Sequence, residues 1–187
     1  MKITFVKGDE TLLEGLRKKD RKSQQALFQK LNRRMLAMCR RYVRDSFEAE
    51  NCFMQGFMKV FSSIDGFQEQ GSLEAWVRKV MVRECLQHLR KNHPMEVLNL
   101  EEEFDETAFC LPENPDYQIL LEMVHALPTG YRMVFNLYAI EGYKHHEIAS
   151  MLGISEGASK SQLNGARARL KEMLRKIGVG SLENMVL

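Results

Sequence analysis

Lys160, Ser161, Asn164, Arg167 and Lys171 recur along one stretch of the chain, just after Gly153-Ile154-Ser155. On a helix of 3.6 residues per turn they share one side, while Ser159, Leu163, Ala166 and Leu170 take the other. Ammonium, guanidinium and hydroxyl groups donate to phosphate, and a carboxamide pairs bidentately with the edge of adenine. That is the chemistry of a helix lying in a DNA major groove. A second set lies upstream. Arg78, Lys79, Arg83, His88, Arg90 and Lys91 follow the loop Phe67-Gln68-Glu69-Gln70-Gly71-Ser72. Of these, Lys79, Arg83 and Arg90 fall on one helical face and suit the neutralisation of phosphates, which makes affinity salt-dependent.

Charge is distributed to match. The chain has 187 residues and a net charge of only +2. Residues 1–93 carry 19 Lys and Arg against 11 Asp and Glu, residues 94–130 carry none against 9, and residues 131–187 carry 8 against 5. Two basic blocks flank an acidic connector, and basic blocks suit a polyanionic partner. Enzyme chemistry finds little support. His146-Glu147 is followed by Ser150 where a zinc protease would need a second histidine. There is no glycine-rich phosphate loop, no zinc-ligand spacing and no triad, so we expect no catalysis, no metal and no cofactor. Cys39, Cys52, Cys85 and Cys110 sit among apolar residues without CxxC spacing, as buried free thiols of a reducing cytosol do. The N-terminus has no long apolar run and no stretch approaches about 18 apolar residues, so a cytoplasmic location is expected.

The elements that must position these groups are helical. Helical periodicity predicts helices over residues 10–19, 24–44 and 48–62, the second with Leu27, Leu31, Met35, Met38 and Tyr42 along one stripe. After the glycine-bracketed loop, Ser72 reads as an N-cap with Glu74 in the first turn, and that helix runs to about Lys91. Pro94, Pro112 and Pro115 with the run Glu101–Glu106 mark residues 94–116 as a linker. Helices then follow over 117–127, 132–140, 145–152 and 156–177, with Gly178 as a stop. Glu147 to Ser155 has the short helix and glycine turn of a helix-turn-helix, closed by Ile148, Ala149, Leu152 and Ile154. The fold class is therefore all-α, with two small helical domains, residues 1–93 and 117–178, joined by the acidic linker 94–116 and followed by a short tail, 179–187.

At these residues the chain resembles a known family. Leu127-Pro128-Thr129-Gly130-Tyr131-Arg132-Met133-Val134-Phe135, through Glu141-Gly142-Tyr143-Lys144-His145-His146-Glu147-Ile148-Ala149 and on to Leu170, resembles region 4 of bacterial extracytoplasmic-function (ECF) sigma factors. Ala49-Glu50-Asn51 with Gln55, Phe57 and Val60, the run Phe67 to Trp76, and Leu89-Arg90-Lys91 resemble their region 2. The resemblance implies that the chain binds core RNA polymerase, through its β′ and β subunits, places it on promoter DNA and helps open the −10 element. It implies polymerase contacts by Glu50, Asn51, Gln55 and Phe57. It implies −10 contacts by Gln68, Gly71, Ser72, Lys79, Arg83, Arg90 and Lys91, the loop capturing a flipped base. It implies −35 contacts by Lys160, Ser161, Gln162, Asn164, Arg167 and Lys171, and control by a separate anti-sigma protein.

The match has departures. Ala158 stands where Thr is usual in the family, Ser159 where Val is, and Gln162 and Gly165 where basic residues are common. Asn51 replaces the usual Asp, and Gly56 a larger polar residue. Lost donors on the recognition helix imply a weakened −35 contact and a DNA-binding recruiter protein. Two other readings stay open at this point: a standalone helix-turn-helix regulator, which leaves the first half unexplained, and a sigma-like adaptor that binds polymerase without initiating.

Overall fold

A computed structural model of the chain describes residues 7–92 and 115–177, and every regular element among them is helical. The chain divides into two compact units between residues 89 and 90.

The first unit holds α1 (Lys7–Arg17), α2 (Arg21–Tyr42), α3 (Ser46–Ser63), a 3₁₀ turn at Ile64–Gly66 and all of α4 (Leu73–Asn92) but its last three residues, which run past the division. Short polar residues start the helices by accepting hydrogen bonds from otherwise orphaned N–H groups. Asp20 accepts from the Ser23 N–H at 2.9 Å, Asp45 from that of Glu48 at 2.8 Å, and Ser72 Oγ from that of Ala75 at 3.1 Å. The whole predicted stripe of α2 (Leu27, Leu31, Met35, Met38 and Tyr42) is buried. Phe28 of α2 meets Phe53 and Phe57 of α3, with ring centroids 5.7 and 4.9 Å away. From α4, Val77, Met81, Val82, Cys85, Leu86 and Leu89 enter the core, whereas Trp76 and Val80 are only half-buried. Cys39, Cys52 and Cys85 are free and buried, one from each of α2, α3 and α4. Hydrogen bonds to Cys39 and Cys52, added to burial, push the Cys85 thiol well above its ordinary range and keep it unreactive. Cys110 lies outside the described residues.

The second unit holds α5 (Pro115–His125), α6 (Thr129–Phe135), α7 (His145–Leu152) and α8 (Glu156–Lys176). α5 begins two residues before the predicted start, at a proline whose fixed φ and missing N–H suit the first turn. The predicted helix 132–140 is instead α6 continued by a π-helical turn, Asn136–Ile140, in which the Glu141 N–H reaches the Asn136 carbonyl at 2.9 Å. Arg132 is buried and ties the α5–α6 turn together by donating to the carbonyls of His125 and Leu127, each at 3.1 Å. α6 and α7 pack against α8 around Met133, Val134, Leu137, Ile148, Leu152, Leu163, Ala166 and Leu170. The acidic residues 101–106 and the predicted stop at Gly178 lie outside the described residues.

Candidate nucleic-acid interfaces

In the first unit the loop from Phe67 to Ser72 turns by means of two residues with left-handed backbone, Glu69 at φ 60° and Gly71 at φ 108°. Glycine takes that conformation freely; glutamate does not. Between this loop and the start of α4 lies an open pocket of about 170 Å³, lined by Gly66, Phe67, Gln68, Gln70, Ser72, Ala75, Trp76 and Lys79. Trp76 forms a wall, tilted at 48° against Phe67 with centroids 5.7 Å apart. The predicted residues Gln68, Ser72 and Lys79 therefore come together, while Gly71 shapes the loop without lining the pocket. The hydroxyl of Ser72 is already an acceptor in the α4 cap. From Lys79 the exposed side chains of Arg83 and Arg90 continue along the same face of α4, a run of roughly 16 Å at 1.5 Å per residue. Lys91 is exposed but lies off that face. A concave apolar-and-amide pocket leading to a line of cations can hold an unstacked base and the strand that carries it.

α3 shows a second surface. Glu50, Asn51 and Gln55 are exposed as predicted, Glu50 paired with Arg40 at 3.2 Å. Phe57 is not part of it. The ring is 2% exposed, 5.1 Å from Phe53, and belongs to the core. The exposed apolar groups of this face are instead Phe47, Met54 and Met58, exposed by 75, 52 and 62%. Their spacing of seven and four residues puts them on one side of α3, with Asn51 beside them and Glu50 and Gln55 at the margins. That spacing is present in the sequence, but so is the core stripe of the same helix, and the two overlap. Gly56 faces inward as well: a Cβ there would lie 2.2 Å from Met81 Sδ. Its small size serves helix packing.

In the second unit α7, a left-handed Gly153 at φ 73° and α8 form the helix-turn-helix, α8 being capped by Ser155 Oγ, which accepts from the Ala158 N–H at 3.0 Å. Ile148 and Leu152 are buried, whereas Ala149 and Ile154 are half-buried. Lys160, Ser161 and Asn164 stand exposed on the open side of α8, with Arg167 and Lys171 half-buried at its edge. Gln162 does not join them. It is 4% exposed, and its Oε1 has no hydrogen-bond partner among the described residues, so the structure places it in the core of its unit and not on the open side of α8. Ser159 is fully buried and lies 2.9 Å from His145 Nδ1. His145 in turn stacks on Tyr138 at 4.5 Å, and the Arg167 guanidinium sits 5.8 Å over the same ring. Burial, with Lys160 nearby, holds the His145 imidazole below its ordinary pKa. Gly165 lies against Tyr131, where a Cβ would meet the ring at 2.6 Å.

Two family models match the chain. Residues 27–94 match the family model "Sigma-70 region 2" and residues 117–170 the model "Sigma-70, region 4". The chain is 26% identical over 164 residues to the ECF RNA polymerase sigma factor SigM of Mycobacterium tuberculosis, covering 86% of this chain and 82% of that one. It is 23% identical over 183 residues to the ECF RNA polymerase sigma-E factor of Escherichia coli, covering 90 and 95%. Among solved structures, the sigma factor RpoE in complex with the anti-sigma factor NepR from Bartonella quintana aligns with a TM-score of 0.56 at 23% identity, over 81% of this chain and 96% of that one. CnrH in complex with the cytosolic domain of CnrY aligns at 0.53 and 18% identity, over 90 and 97%.

Proposed function

This chain belongs to the sigma-70 family of RNA polymerase sigma factors, in its ECF group, and we propose that it divides the work of promoter recognition between its two units as follows. The first unit, which we assign to residues 1–93, docks on core polymerase through the exposed face of α3. Phe47, Met54 and Met58 form the apolar centre, and Glu50, Asn51 and Gln55 the polar rim, the anatomy of a protein interface. The same unit opens the −10 element. Unpairing and unstacking a base costs free energy, and the pocket beside Trp76 recovers it by holding the extruded base against Gln68 and Gln70. Lys79, Arg83 and Arg90 then neutralise the phosphates of the opened strand. The second unit, assigned to residues 117–178, lays α8 in the major groove at −35, with Lys160, Ser161 and Asn164 as its contacts and Arg167 and Lys171 at the edge.

The observation that carries this reading is the pocket at the head of a cationic α4 face, in a chain that also carries a separate helix-turn-helix. A lone regulator needs only the latter. The chain acts as an initiation factor, and we assign it no catalysis of its own. An anti-sigma protein is a further partner, supported by the two similar structures, each of which is a complex, RpoE being bound there to the anti-sigma factor NepR. No described helix is long and apolar enough to cross a membrane; we assign the chain's work on DNA to the cytoplasm.

The test is transcription by purified core RNA polymerase on a promoter library, with and without the chain. Starts preceded by both −10 and −35 motifs bear the reading out. Starts with only a −10 motif show that −35 reading is weak and point to a recruiting protein. Polymerase binding without any starts refutes initiation and leaves an adaptor.

A further inference from the structure

The pocket loop is anchored from outside its own helices. Arg17, at the end of α1 and 50 residues away in sequence, places one nitrogen, Nη2, 3.1 Å from the Phe67 carbonyl and 3.0 Å from Glu69 Oε1. Phe67 is the first wall of the pocket, and Gln68 and Gln70 stand on either side of Glu69. Glu69 itself holds a left-handed φ of 60° that glutamate does not adopt by preference, and its side chain does not line the pocket. The guanidinium therefore does two things at once. It fixes the backbone at Phe67, and it holds the carboxylate of a left-handed residue out of the pocket and neutralised.

Neutralisation matters because of what the loop must approach. A free carboxylate between two base-contacting glutamines would face DNA phosphate, and like charges at short range repel. A loose loop would also spread Gln68 and Gln70 over several positions, and base discrimination depends on fixed donor and acceptor geometry. We propose that Arg17 is a positioning residue for base selection: by pinning Phe67 and Glu69 it presets the pocket for one extruded base and screens that base from the loop's own negative charge. The proposal rests on the reading of the pocket as a base site.

The experiment uses the full chain with core RNA polymerase and promoters bearing each of the four bases at every non-template −10 position. The readout is the ratio of initial transcript rates between the best and worst base, with melting temperature followed in parallel. Loss of a charge-assisted hydrogen bond and its ion pair lowers that ratio about tenfold in Arg17→Ala, without a matching loss of −35 preference. Arg17→Lys keeps the charge on a shorter, more flexible side chain that holds the two partners less firmly, and restores part of the ratio. Glu69→Gln keeps the loop and removes only the ion pair, for a drop of about threefold, and stands in should Arg17→Ala fold poorly. Gln68→Ala reports on the pocket itself. If Gln68→Ala collapses base discrimination while Arg17→Ala and Glu69→Gln leave it within about twofold, the positioning role is overturned and the pocket stands. If all three leave it unchanged, the base pocket is wrong and the proposal falls with it.

Discussion

Gly56→Ala sets two known effects against each other. Glycine inside a helix is about 1 kcal/mol less favourable than alanine, so the substitution should stabilise α3 by that amount if nothing is in the way. Something is. The new Cβ would lie 2.2 Å from Met81 Sδ and 3.2 Å from its Cε. Met81 is fully buried, so the sulfur must move by about an ångström into packed neighbours. Overpacking of this kind costs about 1–3 kcal/mol. The clash is severe and the neighbour confined, so the net expectation is destabilisation by about 1 kcal/mol, a fall in melting temperature of about 4–8 °C for a unit of this size. The chain has a single tryptophan, Trp76, in the first unit, so its fluorescence follows the unfolding of that unit alone. Met81→Val removes the offending sulfur and methyl, and combining it with Gly56→Ala should recover about 1 kcal/mol relative to the sum of the single changes, as contacting residues do in a double-mutant cycle. A rise in the Trp76 transition on Gly56→Ala would refute the close approach. Gly56 would then have to be read as part of the polymerase-facing surface.

Gln162→Met removes a buried amide oxygen without a partner and should stabilise the second unit by about 1 kcal/mol while leaving −35 affinity unchanged; circular dichroism and a −35 binding isotherm check both halves. Phe47→Ser, Met54→Ser and Met58→Ser together should weaken core polymerase binding at least about tenfold without lowering the melting temperature, since all three side chains are exposed. Replacing Lys79, Arg83 and Arg90 by Ala should reduce the slope of log affinity against log salt on single-stranded −10 DNA by about 2. His145 has a folded pKa depressed below its ordinary 6.5, so the neutral form is the one folding favours. Its contribution is present above about pH 6.5 and is lost as pH falls toward the folded value; melting the second unit between about pH 7.5 and 5.5, with His145→Asn flattening the change, reads this directly.

Long single-sided stripes and glycine breaks were legible in the sequence, which is why the core of α2 follows from periodicity and the limits of α7 from Gly142 and Gly153. α3 was only half legible. It carries apolar residues on two sides, one for the core and one for a partner, and periodicity does not say which ring goes where. Phe57 thus reads as surface and Phe47 goes unnoticed, although their exposures are 2 and 75%. Gln162 misleads for the opposite reason, because a carboxamide on a recognition helix suggests DNA, and only packing reveals it as interior. Arg17 gave no signal at all: its partners lie 50 and 52 residues away, and nothing local marks a pairing set by tertiary structure. The π-helical turn at Asn136–Ile140 was hidden too, since one extra residue per turn leaves the apolar pattern almost intact.

Three of the four unusual positions on α8 turn out to face their own unit. Ser159 is bonded to His145, Gln162 is buried, and Gly165 leaves room for the Tyr131 ring. A polar or small residue at such a position says how the unit packs and nothing about lost phosphate contacts. The expectation of weakened −35 binding therefore keeps only Ala158, which is half-buried and lacks a threonine hydroxyl. Against that stands Arg167, whose guanidinium is already stacked over Tyr138 with its Nε buried. A side chain ordered before binding loses less conformational freedom on meeting a phosphate, so each contact it makes is worth more. The open side of α8 thus lacks one hydroxyl at Ala158 but is preordered at Arg167, and the frequency of −35 motifs among the promoter library's start sites measures which of the two dominates.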